Sequence, residues 1–262
     1  MCIDNKLEEI DKLKDFLKEY SLPLETKRSL DEDFKLRYTN DSNAIEGNTL
    51  TLFETKAVLE GITIAGKSVK EHLETINHSQ AIDFMIDLAN SNTKLNSFNI
   101  KSLHQIILQA IEPKNAGVYR DKDVVINGVK HIPPSHVNVE LEMERFLNWY
   151  KNEAQELHPV IRASRVHIDF VGIHPFIDGN GRMSRLLLNY ELIKNDYPPI
   201  NIKHSAKVQY FEALEEACYY KNFIRFDEIV INEIKNSLER EIRFLDTCEC
   251  NLKKRLKYKE LL

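Results

Sequence analysis

Apolar residues recur at helical spacing along almost the whole chain, and only one stretch breaks the rhythm. Leu7, Ile10, Leu13, Phe16 and Leu17 stand three and four apart among Glu, Asp and Lys. That spacing predicts an amphipathic helix ending near residues 21–23. Ser29-Leu-Asp-Glu32 reads as a capping box opening a second helix. Ser42-Asn-Ala-Ile-Glu46 reads as a very short helix closed by Gly47, a residue suited to a left-handed cap. Thr51-Leu-Phe-Glu54 is another capping box, opening a helix through Leu59. Helical patterns continue over 72–88, 100–111, 140–151, 161–173, 182–194 and 207–220, then into a charged stretch from Asp227. The break lies at 124–132, where two β-prone runs flank Asn127-Gly128 and Pro133-Pro134 follow. Asn-Gly between such runs predicts a β-hairpin. With only 8 Gly and 8 Pro in 262 residues, the expected class is all-α, a helical bundle with that hairpin as its one β element.

The expected organisation is a helical region over 1–95 containing the short 42–47 helix, a core over 96–235, and a C-terminal helix over 236–262. The core holds the hairpin at 124–132 and a glycine-containing segment at 174–185. Hydrophobic residues make 42% of the chain, enough for a core, so disorder as the main state is excluded. Net charge is -5, which provides no general basic field for nucleic acid. Cys2, Cys218, Cys248 and Cys250 are too few and too poorly spaced for a disulfide framework and read as reduced thiols. No signal-peptide pattern opens the sequence and no apolar run matches a bilayer, so the expectation is a cytoplasmic protein with no membrane partner. Apolar helices at both ends are compatible with a homodimer.

The segment His174-Pro-Phe-Ile-Asp-Gly-Asn-Gly-Arg-Met-Ser-Arg185 concentrates chemistry. Gly179 and Gly181 sit between two apolar helical patterns. A glycine turn feeding a helix N-terminus aims backbone N–H groups at an anion, and the helix dipole adds attraction. Arg182 and Arg185 are three apart, on one side of the first helical turn, and suit phosphate oxygens. Asp178 can hold a hard cation such as Mg²⁺ against those phosphates. His174 is poised to take a proton near neutral pH. Together these are the parts of a phosphoryl- or nucleotidyl-transfer site. The glycine spacing and the missing Lys-Ser/Thr exclude a Walker A loop. The bland alternative, a plain turn beside a solvated arginine face, leaves this convergence unexplained.

Residues 174–185 match the motif HPFx(D/E)GNGRxxR of the Fic family at every fixed position, and the chain resembles that family over roughly 95–235. Gly117-Val-Tyr-Arg120, the 124–132 segment and Pro133-Pro134 resemble the family's approach to a β-hairpin flap. The resemblance implies a Fic-fold bundle and a protein adenylyltransferase that moves AMP from ATP to a Ser, Thr or Tyr hydroxyl, itself included. By motif position it implies His174 as general base, Asp178 as Mg²⁺ ligand, and Gly179, Asn180 and Gly181 as the anion hole. It implies Arg182 at the β-phosphate, Arg185 at the γ-phosphate and Phe176 as an apolar anchor. Related Doc-type phosphotransferases carry Lys where Gly181 stands, so Gly181 favours AMP transfer.

Ser42-Asn-Ala-Ile-Glu46-Gly47 matches the family's inhibitory pattern (S/T)xxxE(G/N). The resemblance implies that Glu46 pairs with Arg185 and displaces the γ-phosphate, with Ser42 in the same motif. In some relatives the same Glu assists removal of AMP. The hairpin is then a rail along which a target segment adds by main-chain hydrogen bonds, with Val129, Lys130 and His131 nearest the target. Tyr210 and Phe211 resemble an adenine-lining pair, although an aromatic pair on a helix is equally a core feature. Cys218 stands where several relatives carry a nucleotide-contacting Asn, which leaves base recognition open. His167, one helical face from His174, reads as a core residue, and His104 and His158 show no ligand spacing. Other readings are transfer of a different nucleotide or a phosphocholine-type group, a non-catalytic nucleotide-binding regulator, or a metallohydrolase built on His167, His174 and Asp178.

Overall fold

A computed structural model describes residues 3–247 apart from 21, 92 and 127. Cys2, Cys248, Cys250, Asn127 of the predicted hairpin and the predicted helix beyond 247 lie outside the described residues. Within the described residues the chain forms ten α-helices, three short 3₁₀ turns and no strand. The helices are α1 (Ile3–Glu19), α2 (Leu24–Ile45), α3 (Leu52–Leu59), α4 (Val69–Asn90) and α5 (Ser97–Leu108). They continue with α6 (Val139–Asn152), α7 (Pro159–Ile173), α8 (Asn180–Lys194), α9 (Lys207–Tyr220) and α10 (Ile224–Thr247). None is long and apolar enough to cross a membrane.

The pair α7 and α8 forms the middle of the bundle, because it contributes to both hydrophobic cores. On one side Val160, Ala163, Leu188 and Leu192 meet Leu7 and Ile10 of α1, Ala213 of α9, and Ile234 and Leu238 of α10. On the other side Val166, Phe170, Met183 and Leu187 meet Ile82 and Met85 of α4, Leu103 and Ile107 of α5, and Met143 and Phe146 of α6. A helix covered on two sides has almost no polar face to present. Every residue of α8 from Arg182 through Leu192 is accordingly buried, both arginines included. Charges held in that position need partners, and those partners build the site.

Two sequence expectations are corrected. Ser29 does not open a helix: α2 starts at Leu24 behind Pro23, an extended N-cap with φ -54° and ψ 142°, and runs 22 residues. No Gly or Pro interrupts it, so Ser42–Ile45 are its last turn, not a separate short helix, and Glu46 is its C-cap. The hairpin is not formed among the described residues of 124–132. Gly128 has the positive φ of a turn, +80°, but Val125 and Ile132 are 82% and 80% exposed. A lone two-stranded ribbon without a third strand or an apolar face to cover is marginal in water. The Thr51–Glu54 capping box is present as expected, and Ser68–Glu71 forms a second one at the start of α4.

Candidate active site

The bend between α7 and α8 is locked by reciprocal bonds before any ligand is considered. α7 ends on His174, which adopts a left-handed φ of 52° and turns the chain sharply. His tolerates that region better than most residues. The backbone N–H of Phe176 donates to Asn180 Oδ1 (3.0 Å), and Asn180 Nδ2 donates back to the Phe176 carbonyl (2.8 Å). Phe176 is fully buried and stacks on His104 at 3.5 Å. His104 accepts from the Gly117 N–H at Nδ1 (2.9 Å), which leaves Nε2–H to donate to the Asp178 carbonyl (2.9 Å). Burial drives the His104 pKa down to about 4, so the ring stays neutral and keeps this one tautomer. Gly179 closes the bend at φ +81°, with His104 3.3 Å from where its Cβ would lie. A side chain there meets both backbone strain and the ring.

Arg120 ties this bend to the segment of the expected hairpin. Its side chain is buried, with Nε donating to the His174 carbonyl (2.9 Å) and one terminal nitrogen to the Lys122 carbonyl (2.9 Å). Its other terminal nitrogen donates to the Pro134 carbonyl, and its backbone N–H donates to Pro175 (2.9 Å). One guanidinium fork thus satisfies three otherwise lone carbonyls around His174. Arg120 and His104 were not singled out in the sequence. The first lay in a quoted segment but carries no motif of its own, and the second has no ligand spacing because it binds backbone.

A cavity of about 180 Å³ opens beside the bend. His174, Gly181, Arg185, Glu46, Tyr210, Phe211, Val129, His131 and Cys218 all face it. His174 Nδ1 lies 3.3 Å from the Val171 carbonyl, a contact that suits Nδ1–H and leaves Nε2 free to accept a proton. Burial lowers the His174 pKa below its ordinary value, so the ring is neutral at pH 7. Burial raises the Cys218 thiol to about 11, which keeps it protonated.

Arg185 is saturated by the end of α2. Its Nε donates to Ser42 Oγ (3.0 Å), and one terminal nitrogen donates to the Ser42 carbonyl (2.9 Å) and to Glu46 Oε1 (2.7 Å). The other reaches the Tyr210 hydroxyl at 3.4 Å. Arg185 is 2% exposed at its side chain and Glu46 34%. A Cβ at Gly181 would lie 2.3 Å from Glu46 Oε1. Glu46 therefore occupies the space that Gly181 leaves open.

Arg182 is held differently. It is buried, sits 3.4 Å from Asp178 Oδ2 and 3.7 Å from Glu74 Oε1, and among the described residues its Nε and one terminal nitrogen have no hydrogen-bond partner. Unsatisfied buried guanidinium donors are costly unless an acceptor arrives. Asp178 is 40% exposed at its side chain, with Oδ1 accepting from the Gly179 N–H at 2.6 Å. A partly exposed carboxylate just before the N-terminus of α8 fits Mg²⁺, which takes few protein ligands and completes its shell with substrate oxygens and water.

The remaining expected residues separate. Phe211 is 38% exposed on the cavity wall, whereas Tyr210 is buried with its hydroxyl 2.9 Å from His167 Nε2. His167 also meets Ser184 Oγ at 3.1 Å and is fully buried, a core role. Lys130 turns away from the cavity, with Nζ donating to the Tyr220 hydroxyl at 2.8 Å. Among the described residues no three His, Cys, Asp or Glu groups converge as a metal centre. His167, His174 and Asp178 therefore form no three-ligand site, and the metallohydrolase reading loses its footing.

Fold and site together define a helical protein whose glycine bend brings a buried arginine and a neutral histidine to one cavity. Residues 94–192 match the model of the Fic/DOC family, and the chain is a Fic-domain protein of that family. It is 35% identical over 228 residues to a protein named Protein adenylyltransferase Fic from Nematostella vectensis, covering 84% of this chain and 52% of that protein. The chain thus spans about half the length of the curated relatives it matches. The Fic-1 structure from C. elegans aligns with TM-score 0.84 and 29% identity over 94% of this chain and 73% of that one. A Fic domain containing signaling protein from Bacteroides thetaiotaomicron aligns with TM-score 0.83 and 27% identity over 91% of this chain and 97% of that one.

Proposed function

We propose that this protein transfers AMP from ATP to a Ser, Thr or Tyr hydroxyl of a protein, and that Glu46 restrains the reaction by occupying Arg185. The observation that carries the reading is one cavity bordered by His174, Gly181 at the head of α8, and Arg185. The first-turn N–H groups of α8 have no intrahelical partner of their own, which suits them to an anion. Arg182, whose Nε has no hydrogen-bond partner among the described residues, lies on the same helix turn and suits the phosphates of ATP. His174 Nε2 takes the proton as the hydroxyl oxygen bonds to the α-phosphorus, and the bond to pyrophosphate breaks. Asp178 is the group that would hold Mg²⁺, which when bound neutralises phosphate charge.

The restraint follows from Arg185 having Ser42 and Glu46 as partners. A charge-assisted bond of this kind is about twice as strong as a neutral one, and a γ-phosphate must displace it. Removal of AMP is a second reading, favoured because Glu46 borders the same cavity as His174. The relatives' name, Protein adenylyltransferase Fic, favours transfer to protein. The test is intact-mass analysis of Glu46→Gly protein incubated with ATP and Mg²⁺. The expected result is the mass of one or more adenylyl groups on the variant and little on the wild type. A folded variant that stays unmodified, with an added acceptor protein unmodified too, removes the proposal. A different added mass would point instead to another nucleotide or to a phosphocholine-type group.

A further inference from the structure

The turn that carries Ser42 and Glu46 is held on Arg185 by more than its own contacts. Asp41, the residue before Ser42, reaches across to the loop between α8 and α9. Its Oδ2 accepts from Asn201 Nδ2 at 2.6 Å, and its Oδ1 accepts from the His204 backbone N–H at 2.9 Å. That loop is in turn fixed to α8. Asn189 Nδ2 donates to the Ile200 carbonyl (2.9 Å), and the Ile200 N–H donates to Asn189 Oδ1 (2.8 Å). Asn189 stands four residues after Arg185, one turn along the same helix, so the two project from one side of α8.

The contacts close into a ring. Arg185 binds Ser42, Ser42 adjoins Asp41, Asp41 binds Asn201, Asn201 adjoins Ile200, and Ile200 binds Asn189 on the helix that carries Arg185. A ring through two covalent neighbours and one helix fixes the height and rotation of the last turn of α2 relative to α8. Besides Asp41, the turn is held by Arg185, by Ile45 in the core and by the α4 side, where Asn43 donates to the Glu74 carbonyl (3.3 Å), Asn48 to Glu74 Oε2 (3.0 Å) and Thr49 to Glu71 Oε1 (2.6 Å). Asp41, Asn201 and His204 also line an open cleft of about 660 Å³. The ring is therefore reachable from solvent, on a face that the ATP cavity does not share.

We propose that Asp41 is a positioning residue for the restraint, holding the Ser42–Glu46 turn on Arg185 through this ring, so that opening the ring releases the site. This rests on the reading of Glu46 as inhibitory. Asp41 touches no reacting group, and its effect acts wholly through Arg185 and Glu46.

The experiment measures initial rates of auto-modification with α-labelled ATP for wild type, Asp41→Ala, Asn201→Ala, Glu46→Gly and the double variant Asp41→Ala/Glu46→Gly. Two lost bonds, both accepted by the Asp41 carboxylate, support an increase of about tenfold for Asp41→Ala. Asn201→Ala, which loses one bond, rises less. In the Glu46→Gly background Asp41→Ala adds nothing, because no restraint is left to release. General damage to the fold would instead lower the rate in that background. Hydrogen exchange at the amides of 42–47 speeds up in Asp41→Ala. If Glu46→Gly is active while both Asp41→Ala and Asn201→Ala stay at the wild-type rate, the ring does not position the turn and the inference is overturned. If Asp41→Ala does not fold, Asn201→Ala, which weakens the same ring while leaving the His204 bond, decides through its smaller rise. If Glu46→Gly is itself inactive, the inhibitory reading fails first and takes this inference with it.

Discussion

The bend at 174–185 and the segment at 124–134 border the same cavity, yet they are built on opposite principles. The bend is fixed bond by bond. Asn180 closes on both backbone groups of Phe176, His104 bridges Gly117 and Asp178, and Phe176 is sealed into the core. The segment is held at its two ends. Arg120 takes the carbonyls of Lys122 and Pro134, His131 Nε2 lies 2.8 Å from the Gly172 carbonyl, and between them Val125 stands out in solvent. A group that must meet a phosphorus atom needs placement within a fraction of an ångström. A rail that receives main chain from another protein needs open hydrogen-bonding groups and freedom to adjust. On the proposed reading, the fixed half would serve ATP and the open half the protein acceptor.

The contrast breaks at once if the rigid half is not where the chemistry occurs. His174→Ala should lower AMP transfer by about 10²–10⁴-fold in the Glu46→Gly background, the usual worth of a general base. ATP affinity by calorimetry should be unchanged, because His174 holds a proton and no phosphate. Retained transfer in that double variant would falsify the assignment. Next in size is Arg120→Ala, which strikes the joint between the halves. It strands the carbonyls of His174, Lys122 and Pro134 and should cost about 3 kcal/mol in chemical denaturation. Loosened placement of His174 should lower kcat by up to about a hundredfold. A variant that loses stability but keeps full kcat would mean that the bend holds His174 without help from the segment.

The two halves also differ in how far the sequence disclosed them. The bend was legible because its chemistry is local: Gly179, Gly181, Arg182 and Arg185 have to be close in sequence to share one helix end. The class was legible because α1, α7, α8 and α9 follow from periodicity alone. The start of α2 is hidden in the sequence because Ser29 and Glu32 satisfy a capping pattern inside a helix that has already begun at Leu24. The partners of Arg185 lie 139 and 143 residues away in sequence, and only a motif could point to them. Arg120 and Asp41 carry no motif. They act by binding backbone or amide groups of distant segments, which any polar residue in the right place can do. The hairpin was overread because Asn-Gly specifies a turn, while strands need neighbours that this segment lacks.

A smaller effect concerns proton uptake in the rigid half. Burial holds the His174 pKa below 6.5 and the nearby Glu46 carboxylate pulls it upward. Protonation removes the base, so kcat/KM should stay level through neutral pH and fall only below that depressed value. Removing Glu46 removes the upward pull, so in Glu46→Gly the fall should move to still lower pH. NMR titration of the imidazole in wild type and variant measures both values, and a shift toward higher pH would contradict the proximity of the two groups.

The smallest effect is expected in the compliant half, and it is informative because it is small. Lys130 points to Tyr220 and away from the cavity. Lys130→Ala removes one exposed contact and should change stability by no more than about 0.5 kcal/mol. If the segment receives its partner by main chain, transfer to a protein acceptor should stay within about twofold, since the lost side chain contributes nothing to the rail. A large rise in KM for the acceptor, with KM for ATP unchanged, would mean that side chains read the target. The segment would then be a specific reader, and its openness would reflect a surface shaped for one partner.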